Sequence, residues 1–476
     1  MNIYKRLLNN SLIFAVGNLG TKLLVLLLVP LYTYYLSKEE FGTVDLLTTT
    51  LSFLIPIFTL SVFDSVLRFA MDKNCDKQSV LSNSLVVTLI GFIVLCCLYP
   101  LFTFLLPFEG FVSYFYSLLF LQSITTIFTQ YIRALGKIKL FAWSGILNAF
   151  ALLICNLIFL VLFHMGIIGY FISLIIANII TIIFVVMVGK VVQDLSVKKI
   201  NIKLTKEMLV YSIPLIPNAL MWWIMGLSDR FIITYYLGLG ANGLYAVANK
   251  IPSVLNIINS IFFQAWQMAA IEEANSKDKS KFFSNVFNIF SIVMLTSTSI
   301  ILVFLKLIVV VMVSASYNDV WKYVPFLLLG VVFSSFSGFL GTNYIAAKKT
   351  GGVFKTSVIG AIINIVANLT LIPLLGINGA SIGTLLSFAV IWILRIRDTK
   401  KFVNLQISIK KLALTFTVIG IQIGILYINL KLEYILQIIL LAVIILINLS
   451  DINMIIKAAL KTVSKKTKNY RRVSEK

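Results

Sequence analysis

The chemistry this chain could do rests on a few charged side chains set among apolar neighbours. Lys22, Arg230 and Lys250 each interrupt a long run of Leu, Ile, Val and Phe, Asp229 directly precedes Arg230, and Asp45 lies about a turn into the second candidate span. A charge at mid-bilayer costs roughly 2.5–3.5 kcal/mol on insertion scales, so it implies a partner or a wet cavity. Arg offers a flat fork of donors and Lys a point charge, and both suit anionic oxygens, phosphate above all. Lys22, Arg230 and Lys250 are therefore candidate substrate-binding residues. Asp45, Asp64, Arg68 and Asp229 are candidates for gating or ion coupling. Asp64 and Arg68 stand at i, i+4, a spacing that puts an ion pair on one helix face. The competing assignment for all seven is structural: each cation paired with a neighbouring carboxylate or with helix-end carbonyls.

The elements that must hold these residues follow from composition. Of 476 residues, 59% are apolar and 12% charged, whereas soluble globular chains carry about 25% charged residues. That excludes a soluble multi-domain enzyme, and the hydrophobicity excludes disorder. A spanning helix needs about 20 apolar residues. Fourteen candidate spans lie near 9–36, 41–67, 79–106, 110–132, 140–163, 167–189, 208–237, 243–270, 283–312, 320–345, 354–375, 380–396, 411–430 and 434–457. The first starts straight after Tyr4-Lys5-Arg6 without a small-residue cleavage site and reads as a membrane helix, not a removed signal.

Basic residues orient the chain. Thirty-three of the 40 Lys and Arg fall at the N-terminus, in the even-numbered connections and in the tail, while only Lys38, Lys322 and Lys431 lie in the odd-numbered ones. This positive-inside bias places both termini in the cytoplasm. The net charge of +22 is then an orientation signal plus contact with anionic lipid heads, with no role for nucleic acid. The tail 459–476 is basic and sits at the inner leaflet. Lys306, near a span end, can snorkel to the surface, and Asp451 can be solvated at the inner end of the last span.

Several chemistries have no residues to support them. The four cysteines (Cys75, Cys96, Cys97, Cys155) show no CxxC spacing, so neither a disulfide framework nor a metal site is expected. There is no G-x-x-x-x-G-K-[ST] and no HExxH, and His164 is the only histidine. No cofactor is expected, and the short outer connections argue against an enzyme. Pro30, Pro56, Pro214 and Pro217 mark breaks in the spans, and Trp222 and Trp223 are expected to pack in the core.

An internal repeat organises the spans. Thr33-Tyr34-Tyr35-Leu36 recurs as Thr234-Tyr235-Tyr236-Leu237, and Gly42 matches Gly243 at the same offset of 201. Gly166-Ile167-Ile168-Gly169 is echoed by Gly376-Ile377-Asn378-Gly379, and Asn156-Leu157 by Asn368-Leu369. Six spans is an even number, so the halves would share one orientation, as in transporters built from parallel repeats with substrate between them. The expected fold is all-α and polytopic, with about fourteen membrane helices. The expected divisions are a bundle over 1–200, a second over 201–405, an added helix pair over 406–458 and the tail 459–476. The two six-helix bundles would be related by a pseudo-two-fold axis around one central cavity.

The run Leu12-Ile13-Phe14-Ala15-Val16-Gly17-Asn18 and then Leu36-Ser37-Lys38-Glu39-Glu40-Phe41-Gly42 resembles the polysaccharide transporters, the Wzx-type flippases of the multidrug/oligosaccharidyl-lipid/polysaccharide exporter superfamily. Ser212-Ile213-Pro214-Leu215-Ile216-Pro217, Asp229-Arg230 and Gly243-Leu244-Tyr245-Ala246-Val247-Ala248-Asn249-Lys250 are similar to the corresponding stretch of that family. The resemblance implies a twelve-helix core with two extra helices. It also implies movement of an undecaprenyl-diphosphate-linked oligosaccharide from the inner to the outer leaflet of a bacterial cytoplasmic membrane. Lys22, Arg230 and Lys250 would then line one cationic cavity and hold the diphosphate. Partners would be the lipid-linked oligosaccharide, membrane lipids and a polysaccharide polymerase with other assembly proteins. Two alternatives stay open: a multidrug exporter of the same superfamily, and a membrane-embedded glycan polymerase.

Overall fold

The computed structural model describes residues 19–451, apart from 23, 73, 109, 274–275, 277, 347–350, 429 and 450. The basic tail and the motif Leu12–Asn18 lie outside the described residues. Those described form α-helices joined by short turns, without strands. The first helices are α1 (Leu19–Tyr35), α2 (Lys38–Phe58), α3 (Val62–Ala70), α4 (Lys77–Cys97) and α5 (Tyr99–Leu105). There follow α6 (Val112–Ala134), α7 (Ile138–Asn156), α8 (Gly166–Gly189), α9 (Ile202–Ser212), α10 (Ile216–Leu227), α11 (Asp229–Leu237) and α12 (Leu239–Ala248). The last are α13 (Ser253–Glu272), α14 (Lys279–Met312), α15 (Val324–Ala346), α16 (Gly351–Leu375), α17 (Ile377–Thr399), α18 (Ile409–Ile428) and α19 (Glu433–Ile447).

Among the described residues eleven helices are long and apolar enough to cross a membrane. A twelfth is counted if α12 and Ser253–Phe263, bent by 49°, form one broken span. The shorter α1 and α19 are apolar as well. This is a multi-pass membrane protein.

The chain divides into two compact units. Unit 1 is Met1–Ile251, Val310–Val320 and Ser357–Thr384; unit 2 is Pro252–Val309, Trp321–Thr356 and Leu385–Lys476. In unit 1, Leu46, Leu47 and Leu51 of α2 pack with Phe115 and Leu118 of α6 and Phe171 of α8. A second cluster joins Val62 and Val66 of α3 to Ile127 and Tyr131 of α6 and Met208 of α9. Hydroxyls buried within spans satisfy themselves locally: Thr50 donates to the Leu46 carbonyl and Thr88 to that of Ser84. This back-bonding lets polar residues sit in an apolar core at little cost.

Helix ends follow local chemistry. Ser37 and Glu40 form a reciprocal capping box at the start of α2, satisfying two of its orphan backbone donors. The span expected as 41–67 instead breaks at Thr59–Ser61, where Leu60 and Ser61 adopt positive φ (51° and 50°) and the Ser61 N–H bonds the Pro56 carbonyl at 2.8 Å. Gly91 of α4 is what admits this break, because a Cβ there would collide with the Phe58 carbonyl.

The repeated glycines meet each other. A Cβ at Gly42 would strike the Leu239 carbonyl, and one at Gly243 would strike the Lys38 carbonyl. Both pairs of positions differ by the same 201 residues, so α2 and α12 cross backbone to backbone at equivalent points. Small residues permit such close crossings in membrane helices. Asn242 adds a bond from its amide to the Gly42 carbonyl at 2.9 Å.

In unit 2, Phe262, Phe290, Phe339 and Trp266 stack into one aromatic cluster. Glutamines tie α18 to α19 and to α14. The Gln422 and Gln437 amides each donate to the other's backbone carbonyl, and Ser299 donates to Gln422. Lys306 does not snorkel. It pairs with buried Glu433 at 2.6 Å and lies 4.6 Å from the Trp321 ring centroid. Asp451 likewise pairs with Lys411, at 2.5 Å.

Candidate functional site

The prolines and the charges fall together in sequence, and the fold shows why. Pro214 and Pro217 cannot donate within a helix, and the chain takes a short 3-10 turn at Ile213–Leu215 between α9 and α10. A one-residue break at Ser228 precedes α11, so Asp229 occupies the first turn of that helix, where the helix dipole favours a carboxylate. Lys250 falls in the turn before Pro252, between α12 and α13. Asp229, Arg230 and Lys250 thus sit at discontinuities in the spans, as in transporters whose broken helices carry the site, while Asp45 lies within the unbroken α2.

Arg230 is the hub of unit 1. Its Nε donates to Asp45 Oδ2 at 2.8 Å, and its Nη1 donates to Asp229 Oδ1 at 3.0 Å and to the Gly226 carbonyl at 3.1 Å. The guanidinium lies 5.6 Å from the Tyr245 ring centroid. Asp229 Oδ2 accepts from the Tyr245 hydroxyl and, at 3.3 Å, from Thr384. Side-chain exposure is 8% for Arg230, 2% for Asp229 and 13% for Asp45. Lys250 stands close enough for its charge to interact with those of Asp45 and Arg230.

Two carboxylates thus lie beside two cations, with Arg230 paired to both carboxylates. The reason is energetic. An unpaired buried guanidinium is far costlier than one that spends its donors on carboxylates. Breaking such a pair by removing one partner costs about 3–5 kcal/mol, while the intact pair adds little net stability. Withdrawing or neutralising one carboxylate leaves the remaining charges unbalanced.

Polar contacts continue from the hub. Ser228 lies 3.4 Å from Asn364 Oδ1, which also accepts from the Asn368 amide at 3.0 Å. Asn368 is fully buried, and its Oδ1 has no hydrogen-bond partner. The sequence showed Asn368 only as a repeat marker and did not single out Asn364.

Lys22 lies elsewhere in unit 1. It lines a cavity of about 370 Å³ whose walls include Lys22 but neither Arg230 nor Lys250. The structure therefore brings Asp45, Asp229, Arg230 and Lys250 together and leaves Lys22 in separate surroundings. Asp64 occupies the first turn of α3, half-buried. Arg68 pairs with Asp72 at 3.9 Å, and not with Asp64 as expected. Both partners are more than a third exposed at the polar end of α3, where solvated charges meet more easily than across the half-buried Asp64 side chain. Trp223 packs as expected, donating to the Thr49 carbonyl at 3.1 Å and lying against Phe53, while Trp222 is 39% exposed.

Sequence reasoning missed two buried charges, Glu433 beside Lys306 and Arg395. Arg395 of α17, counted with a basic connection, is 1% exposed in unit 2. It donates to the Ser337 carbonyl at 2.8 Å, Thr356 Oγ1 at 2.9 Å and the Val353 carbonyl at 3.4 Å. Its signal was the unbroken apolar run Ala389–Leu394 before it.

The fold has known relatives. It superposes on the lipid II flippase MurJ in an inward closed conformation with a TM-score of 0.68, at 14% identity, over 95% of this chain and 100% of that one. An inward-facing multidrug resistance MATE family transporter of the MOP superfamily matches with a TM-score of 0.65, at 13% identity, over 81% and 93%. By sequence, an uncharacterised membrane protein of Methanocaldococcus jannaschii is 24% identical over 316 residues. That alignment covers 63% of this chain and 61% of the relative, so the chain spans under two thirds of the curated relative it matches. Residues 7–267 match the family described as polysaccharide biosynthesis protein. Taken with the membrane fold and its buried charge network, that match over more than half its length means the chain belongs to the polysaccharide biosynthesis protein family.

Proposed function

We propose that this protein is a flippase that moves an undecaprenyl-diphosphate-linked oligosaccharide from the inner to the outer leaflet of a bacterial cytoplasmic membrane, by alternating access, with both termini cytoplasmic. The observation that carries the reading is Arg230, a membrane-embedded guanidinium held between two carboxylates in a chain of this family. A diphosphate is the most charge-dense part of such a lipid. On arrival it competes with Asp45 for Arg230 and Lys250, and releasing Asp45 loosens the α2–α11 contact. The halves 1–200 and 201–405 are the elements that would move, with Asp64 and Arg68 at the gate of the first.

Asp229 is the candidate coupling group. Its carboxylate accepts from Thr384, and the adjacent Ser228 lies 3.4 Å from Asn364 Oδ1, next to Asn368, whose own side-chain oxygen is unpartnered. Hard oxygen donors of this kind suit a proton or a small monovalent cation. Deleting the gene in its own host is expected to trap lipid-linked repeat units at the inner leaflet. Normal surface glycan in the deletion strain would contradict the reading. A multidrug exporter is the second reading, supported by the fold shared with MATE transporters. It predicts drug sensitivity and intact glycan in the same strain.

A further inference from the structure

The connection between α14 and α15 is shared between the units. Most of α14 and all of α15 belong to unit 2, but Val310–Val320 belongs to unit 1. This segment lies against the turn between α1 and α2. The Ser314 hydroxyl donates to the Thr33 carbonyl at 2.5 Å, the Ser314 N–H to Thr33 Oγ1 at 3.2 Å and the Tyr317 hydroxyl to the Leu36 carbonyl at 3.3 Å. Val313, Tyr317 and Val320 are buried, while Ala315, Ser316, Asn318 and Asp319 between them are exposed.

The last carbonyls of a helix have no partner within it, and Thr33 stands in the last turn of α1. Ser314 therefore caps α1 from 281 residues away. Burial and the nearby Glu39 and Glu40 carboxylates push the Tyr317 hydroxyl well above its usual pKa, so it stays protonated and remains a donor. All three bonds join neutral groups at a water-exposed end of the spans. Water can take either partner's place there, so these bonds break and re-form at little cost.

The flanking chain has no slack. Trp321, the next residue, lies 4.6 Å from Lys306 Nζ and 5.6 Å from the Tyr427 ring, measured from its own ring centroid. The Lys322 carbonyl accepts from the Tyr427 hydroxyl, and Lys306 is paired with buried Glu433. These residues all belong to unit 2. At the other end, α14 runs unbroken through Val309 and Val310 from one unit into the other. A displacement of the units therefore has no loose loop to absorb it. It must break either the neutral bonds to Thr33 and Leu36 or a buried ion pair, and the neutral bonds are the weaker.

We propose that Val313–Val320 is a latch: docked on Thr33 and Leu36 it holds the outer side of the protein closed, and its release is a required step of each transport cycle. This rests on the alternating-access reading for what the release opens. The competing role for the same contacts is a permanent cap on α1 that never comes undone.

Two measurements on the full-length chain, with its four native cysteines replaced, separate latch from cap. In proteoliposomes, Thr33→Cys with Ser314→Cys would be oxidised to a disulfide, or bridged by a short bis-methanethiosulfonate where the disulfide does not form. Glycolipid transport should be lost on cross-linking and return on reduction. Transport that survives a complete cross-link overturns the proposal. In nanodiscs, spin labels at the exposed positions Tyr34→Cys and Asn318→Cys would report the distance across the contact. Ser314→Ala with Tyr317→Phe should raise the longer-distance population by about fivefold for each bond lost. If the pair folds poorly, Ser314→Ala alone should give a smaller rise of the same sign. A distance distribution unchanged from wild type in a folded variant overturns the latch. Wild type that flips no glycolipid, yet shows both distances and the rise in the variant, keeps the latch and removes the flippase. Flipping through a cross-linked segment does the reverse.

Discussion

Among the described residues each unit buries one arginine, and the two are held in different ways. In unit 1, Arg230 spends its donors on two carboxylates and a carbonyl. In unit 2, Arg395 reaches two carbonyls and a hydroxyl. Charged partners can be protonated, exchanged for a substrate anion or pulled away with their helix, so the first arrangement can switch. Backbone carbonyls can do none of these, so the second works as a clamp that pins α15 and α16 to α17. The proposed function draws on the first kind of arginine and not on the second, although both are buried in apolar helices.

Substitutions can break that comparison. The largest effect is expected at Arg395, among the largest fully buried side chains. Arg395→Ala should leave buried acceptors orphaned at roughly 1–3 kcal/mol each and open a cavity worth about 2–5 kcal/mol. Thermal-shift measurements in detergent should show little folded protein, and Arg395→Lys should rescue poorly because a point charge cannot replace the fork. Next comes Arg230→Gln, expected to cost about 3–5 kcal/mol by stranding two carboxylates. Adding Asp45→Asn should recover part of that stability and none of the transport. A double variant as active as wild type would make Arg230 a clamp like Arg395.

Smaller effects sharpen the account. Gly42→Ala forces a methyl against the Leu239 carbonyl, an overpacking cost of about 1–3 kcal/mol, and Gly243→Ala should match it if the crossing is symmetric. Unequal melting shifts would break the equivalence of the repeat. The smallest effect is at Asp76, outside the spans. Partial burial tends to raise its carboxyl, but Lys199 at 3.1 Å and the bonds from Ser79 and Gln78 prevail and hold it below the usual carboxylate range. A lowered folded-state value means the pair stabilises above the unfolded carboxyl's pKa near ~3.9, and this contribution is lost as pH falls through the lower folded value. Asp76→Asn should flatten the acid limb of a melting curve slightly, with no change near neutrality.

Much of this was legible before any coordinates. Apolar runs located the spans, Pro214 and Pro217 located the break, and the offset of 201 picked out two glycines that prove to touch. The Asp229-Arg230 pair was visible because two charges in an apolar run have few explanations. Pairing was harder to read, since it depends on which helices are neighbours. Nothing in the sequence says that Asp45, 185 residues away, supplies Arg230's second carboxylate, or that Glu433 reaches Lys306 across 127 residues. Arg395 was missed for a related reason. A basic residue at the end of a span reads as a loop residue unless neighbouring carbonyls are known to turn toward it.

The most direct test is transport by purified protein. In proteoliposomes loaded with a polyprenyl-diphosphate-linked oligosaccharide, wild type should expose the sugar to an external glycosidase, while a folded Arg230→Gln, Asp45→Asn variant should leave it protected. Equal exposure by both proteins would contradict the claim that the Asp45–Arg230–Asp229 network handles the substrate.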